Sequence, residues 1–239
     1  MCFSYSVNFS ATRLQSKLNL SELPQLPQPG FFISGFSYPN MPIVAGKGGM
    51  HTEYAYWGLV PEWVKNTEKA AEIRSYGLNA KGETLNQKPM FRKAFEQERV
   101  LVPMAGFYEW RQIGKRKFPY YIKPAEDDFF LVAGIASHWA NTETGEEQET
   151  YAIVTCPSGP LLSTIHNTKQ RQPLILPEED WQTWLYGRET DVLPLVKPCS
   201  DSLLSAYTVG PLAGYAKQNR NVPTVQQRYN YPETAEKLF

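Results

Sequence analysis

The chain has 239 residues, and 24 Lys and Arg balance 24 Asp and Glu. At roughly 100–200 residues per domain this is one large domain or two small ones, with no run near the ~20 apolar residues of a membrane span and no signal-peptide pattern at the start. The neutral balance excludes a histone-like, charge-driven grip on nucleic acid, though not a local basic groove.

Ser10 ahead of Ala11-Thr12-Arg13-Leu14, with Leu14 and Leu18 four apart, predicts a capped short helix. The Pro/Gln-rich stretch 23–30 sits too near the N-terminus to divide two domains. Strand-like runs follow at 31–36 and 54–60, and Pro89 ahead of Phe91 and Phe95 predicts a second helix. Further strands are predicted at 99–102, 106–110, 118–122, 129–135, 151–155 and 174–176, with an acidic, hairpin-like loop over 138–150. Pro177, the acidic Glu178-Glu179-Asp180, the stripe Trp181, Trp184, Leu185 and the stop at Gly187 predict a third helix, and 200–207 a fourth. The strands do not alternate regularly with long helices. That argues against a doubly wound parallel sheet and for a single, mainly antiparallel α+β domain.

Three cysteines, Cys2, Cys156 and Cys199, give neither a disulfide framework nor a CxxC zinc pair, so a reducing cytoplasm is the expected compartment. Cys2 is the unusual one. Its small side chain favours removal of Met1, which would leave a free α-amine beside the thiol, with reference pKa values near ~7.7–8.0 and ~8.5. Such a 1,2-aminothiol condenses with an aldehyde to an imine, and the thiol closes on it to give a thiazolidine. The same pair can attack amides, with the amine as base. The plain alternative is a chance residue on a frayed terminus.

Downstream, Trp57 and Trp63 in YWGLVPEW serve either as core aromatics or as a stacking platform for unpaired bases. In LNAKGET, Asn79 offers an amide for a carbonyl or sugar oxygen, and Lys81 a cation for phosphate. In VLVPMAGFYEW, nine uncharged residues lead to Glu109 between Tyr108 and Trp110. A carboxyl among aromatics has a raised pKa, which suits a general acid–base group, although a structural ion pair would use the same residue. His166 stands in a polar loop with Lys169 and Arg171 close behind, as a proton donor or base beside phosphate-binding cations would.

Taken in order, these motifs resemble the SRAP family, the SOS-response-associated peptidases, from residue 2 to about residue 225. The resemblance implies one SRAP-like domain over 2–239, with a mainly antiparallel, barrel-like β core, a few short flanking helices and Met1 removed. It implies capture of abasic sites in single-stranded DNA through a Cys2 thiazolidine. Asn79 would hold the N-terminal group or opened sugar, Glu109 would act as acid–base, and His166 would assist proton transfer. Pro39, Trp57 and Trp63 would form the base-stacking wall, and Lys81 and Arg171 would bind phosphate. No metal, cofactor or membrane is implied, and a cytoplasmic monomer, nucleoid-associated when on DNA, is expected. The alternatives are an N-terminal-cysteine peptidase or amidase, and a non-catalytic single-strand-binding module. Three departures from the family pattern stand out: Phe3-Ser4 in place of Gly-Arg, Lys81 in place of Arg, and two extra residues before Arg171.

Overall fold

A computed structural model of the protein describes residues 2–215 and 217–234. The expected removal of Met1 and the end of the expected domain, 235–239, lie outside the described residues. The chain begins with β1 (Ser4–Ser6), α1 (Ala11–Leu18), β2 (Ile33–Ser34), β3 (Asn40–Ala45), β4 (His51–Trp57), α2 (Thr67–Arg74), β5 (Asn79–Lys81) and α3 (Arg92–Gln97). It continues with β6 (Arg99–Met104), β7 (Gly106–Ile113), β8 (Arg116–Pro124), β9 (Phe130–Ala140), β10 (Glu147–Pro157) and α4 (Pro160–Ile165). β11 (Arg171–Pro173), α5 (Trp181–Tyr186), α6 (Glu189–Val192) and β12 (Leu204–Thr208) complete it.

The helices form largely where local chemistry favours them. Ser10 caps α1 by accepting from the Arg13 N–H, and Leu14 and Leu18 are buried. Trp181, Trp184 and Leu185 are the buried stripe of α5, entered through a 3-10 turn at Glu178–Asp180. Near Pro89 the helix begins only at Arg92, because Phe91 and Arg92 first turn back on the Lys88 carbonyl. The expected helix at 200–207 is corrected. Asp201–Leu203 is one 3-10 turn capped by Ser200, and the following residues form β12 against β8, with Ala206 opposite Ile122. An available sheet edge outweighs a weak helical pattern.

β10 is the hub of the larger sheet. One of its edges is antiparallel to β9 and then β11, while the other runs parallel to β4 and then β5. The antiparallel run β4–β3–β6–β9 returns to β10, which closes the strands into a barrel. The smaller sheet, in the order β12-β8-β7-β1-β2, is antiparallel throughout. The fold is therefore the α+β barrel-like domain that the sequence leads one to expect, with parallel pairing confined to β10. No helix among the described residues is long and apolar enough to cross a membrane.

Tyr5 joins the two sheets. It is fully buried, its ring lies 5.0 Å from that of Trp57, and its hydroxyl shares a 2.8 Å hydrogen bond with Tyr151 of β10. Gly106, opposite Ser6, lets β1, β7 and β8 approach closely. A Cβ there would stand 2.5 Å from the Ile122 carbonyl oxygen and 2.6 Å from the Tyr121 hydroxyl. We expect Gly106→Ala to cost about 1–3 kcal/mol through overpacking, read from urea or thermal unfolding. An unchanged midpoint would mean that the three strands yield freely at this point.

Candidate active site

Tyr5 pairs with Phe107 and Ser6 with Gly106, so the chain leading back to Cys2 runs beside β7 toward Glu109. Cys2 is fully buried, and its thiol donates to the Ser4 carbonyl at 3.7 Å. Asn79, at the start of β5, reaches across from the other sheet and donates its Nδ2 to the Cys2 carbonyl at 2.8 Å. The Asn79 Oδ1 is buried and has no hydrogen-bond partner among the described residues. His166 ends α4, with its Nδ1 2.8 Å from the Arg171 carbonyl oxygen and 3.6 Å from Glu109 Oε1. A carbonyl only accepts, so Nδ1 carries the proton and Nε2 of the neutral ring is the basic nitrogen. Four residues distant in sequence thus meet where the two sheets join.

Burial governs their ionisation. It raises Glu109 to about 7 and lowers His166 to about 4, because a dry environment penalises each charged form. An ion pair would move both in the opposite directions, so despite the 3.6 Å approach this is not a charged pair near neutral pH, where the imidazole carries no charge. Burial, reinforced by the charge of Glu109, holds the Cys2 thiol well above its ordinary range. Near neutral pH the cluster therefore holds a thiol, a neutral imidazole and a carboxyl poised between its two forms. Among the described residues, no group of three or more His, Cys, Asp or Glu is placed to share a metal ion.

The residues expected to contact DNA divide. Trp63 is half exposed and walls a cavity of about 200 Å³ with Met90, Lys93 and His138. Lys81 is exposed at the end of β5, and Pro39 is partly exposed, with its carbonyl accepting from the Trp57 N–H. Trp57 requires a correction: it is fully buried, its indole donates to the Leu78 carbonyl at 2.8 Å, and it presents no face to a base. Arg171 requires another. Its guanidinium forks onto the Glu83 carboxylate and donates to the Thr155 carbonyl at 2.7 Å, so the fork is occupied within the protein. What Arg171 gives the site is its backbone carbonyl, which orients His166. Phe3, which stands where the family pattern has Gly, stacks on Phe36 at 5.1 Å, and Phe36 is 64% exposed.

A family model described as SOS response associated peptidase (SRAP) matches residues 1–215. The abasic site processing protein YoqW of Bacillus subtilis is 34% identical over 167 residues, spanning 68% of this chain and 71% of the relative. The abasic site processing protein YobE of the same organism is 34% identical over 160 residues, spanning 65% and 69%. A crystal structure of a protein from Bacteroides thetaiotaomicron is similar, with a TM-score of 0.87 and 32% identity over 96% of this chain and 100% of that one.

The ionisation pattern is directly measurable. Because His166 binds its proton more weakly in the fold than its ordinary 6.5, it contributes stability that is full above that pH and lost as pH falls toward about 4. Glu109 acts in the opposite sense, with its contribution full below 4.5 and lost as pH rises through about 7. We expect the ring nitrogens of His166 to keep the neutral, Nδ1–H signature in nitrogen-15 NMR from roughly pH 8 down to roughly pH 5. A midpoint near the ordinary histidine value would contradict this account of the site.

Proposed function

The chain belongs to the SRAP family, and from that premise we propose that it processes abasic sites in DNA, binding the single strand and capturing the ring-opened aldehyde as a thiazolidine on Cys2. Its relatives are named for abasic site processing. The observation that carries the chemistry is the convergence on one terminus of the Asn79 tether to Cys2 and of buried Glu109, with His166 3.6 Å from the carboxylate.

In this reading the mature chain begins at Cys2. The high thiol pKa makes the α-amine the first nucleophile. The amine adds to the aldehyde carbon, forming the C–N bond of a carbinolamine. Protonated Glu109 then delivers its proton to the departing hydroxyl, water leaves, and an iminium remains. The Cys2 sulfur attacks the iminium carbon, and its proton passes to the Glu109 carboxylate, so the residue ends as it began. Reversal runs the same transfers backward. In the same reading His166, basic at Nε2, serves the sugar oxygens, and Asn79, whose Oδ1 is buried and has no partner among the described residues, accepts from the amine or the opened sugar hydroxyl. Lys81, Trp63 and Pro39 are the proposed strand contacts. The loss of Trp57 from that list weakens the picture of a purely stacking, non-catalytic module. No step requires a cofactor or a second copy of the chain.

Crosslinking to abasic single-stranded DNA should vanish in Cys2→Ala, on denaturing gels. Cys2→Ser should give no stable ring but an imine that borohydride traps. Equal crosslinking by wild type and Cys2→Ala would point instead to a lysine Schiff base. Glu109→Gln keeps shape but relays no proton. We expect it to slow release of a preformed adduct, by up to about 10²–10⁴-fold, and to erase the limb of the pH–rate profile that falls as pH rises through about 7. Unchanged release would reduce Glu109 to a structural role.

A further inference from the structure

β7 continues past Glu109 into a hairpin with β8, turning through Gly114 and Lys115 between Ile113 and its partner Arg116. Gly114, at φ +58, supplies the left-handed conformation such a tight turn needs, and Gln112 Nε2 donates to its carbonyl at 3.1 Å. β1 pairs with β7 only at Gly106 and Phe107, so beyond them the facing edge of β7 is left to another partner. At Gln112 that partner is a side chain. The Gln112 N–H donates to Asn167 Oδ1 at 3.0 Å, and Asn167 Nδ2 donates to the Gln112 carbonyl at 2.8 Å, as a paired strand would. This two-point staple fixes the loop that carries His166 and Lys169 onto the hairpin.

The sequence around the hairpin is rich in cations, of which Arg116 and Arg171 are paired with Glu233 and Glu83 and Lys123 lies at the far end of β8. Residues 110–125 contain five cations and no acid, and residues 151–177 contain Lys169 and Arg171 and no acid, in a chain whose net charge is zero. Arg116 is paired with Glu233 and lies 4.9 Å over the Phe118 ring, which anchors the hairpin to the body of the protein. Lys115, Lys117 and Lys169 are exposed and form no ion pair among the described residues. From Glu109 to the hairpin tip is about 20 Å of strand, no more than roughly six nucleotides at 3.4 Å per phosphate step.

We propose that this hairpin is a phosphate-binding arm, on which Lys115, Lys117 and Lys169 hold the backbone of the DNA strand to one side of the abasic nucleotide. The proposal rests on the reading of the adjacent site as one that acts on DNA. Flexible ammonium groups on a rigid ribbon match a repeating phosphate backbone without reading its sequence. The Asn167 staple makes the arm continuous with the loop of His166.

The test begins with fluorescein-labelled single-stranded oligonucleotides that contain no abasic site, so that covalent chemistry is not engaged. In the triple variant Lys115→Gln/Lys117→Gln/Lys169→Gln, the slope of log K against log salt should become shallower by about 2, at roughly 0.7 per phosphate contact. Lys123→Gln, at the opposite end of β8, should leave the slope unchanged. With abasic oligonucleotides shortened stepwise on the 5′ or the 3′ side, the variant's deficit in apparent affinity should belong to one flank and disappear when that flank is removed. An unchanged slope, an equal loss from Lys123→Gln, a deficit shared by both flanks, or no single-strand binding by wild type would each overturn the arm. Crosslinking with an unchanged slope would leave the function standing without the arm. A reduced slope without crosslinking would leave the arm and remove the abasic-site chemistry.

Discussion

Three residues of strand, Ser4–Ser6, hold the N-terminal segment inside the molecule, between β7 and β2. Termini ordinarily fray, because a few residues bury too little to offset the loss of backbone freedom. Here Tyr5 changes the balance. Its ring is enclosed against Trp57 and its hydroxyl is satisfied by Tyr151, an enclosure worth about 1.5–3 kcal/mol on ordinary burial scales. Tyr5 belongs to the smaller sheet and both of its partners to the barrel, so the contact that secures the terminus also docks the sheets. The placement of Cys2 beside Glu109 follows from that register.

The same enclosure sets the electrostatics. A single cause, exclusion of water, raises the carboxyl, depresses the imidazole and keeps the thiol protonated. In water only the carboxyl of the three would be fully charged near neutrality; here it stands between its two forms, beside a neutral imidazole and a protonated thiol. Arg171 completes the arrangement indirectly. Its fork is tied to Glu83 and Thr155, which fixes the backbone carbonyl that selects the tautomer of His166.

How much of this could be read from the sequence depended on how local each cause was. The Ser10 cap and the Trp181, Trp184, Leu185 stripe are written within a turn or two, and both elements stand where the pattern places them. Residues 79–81 are too few for their polar–apolar–polar pattern to register as a strand, and they form one because β10 offers a parallel edge. β1 is equally short and is fixed by only two paired positions with each of its neighbours, β2 and β7. Trp57 could be read equally as core or as surface, and Tyr5, fifty-two positions away, decides it. The Glu83–Arg171 pair spans 88 positions and has no local trace. The candidate residues Cys2, Asn79, Glu109 and His166 were legible one by one, from their neighbours and from the resemblance. That they meet at all is a property of the barrel and its docked sheet.

The central claim is that the N-terminal aminothiol itself becomes the bond to the DNA. It is tested most directly by mass spectrometry of the purified adduct after nuclease and protease digestion. The account predicts an N-terminal peptide that begins at Cys2 and carries the sugar remnant with the loss of one water, its sulfur inert to alkylation. A remnant found on a lysine, a Cys2 thiol that still alkylates, or an adduct on a chain that retains Met1 would contradict it.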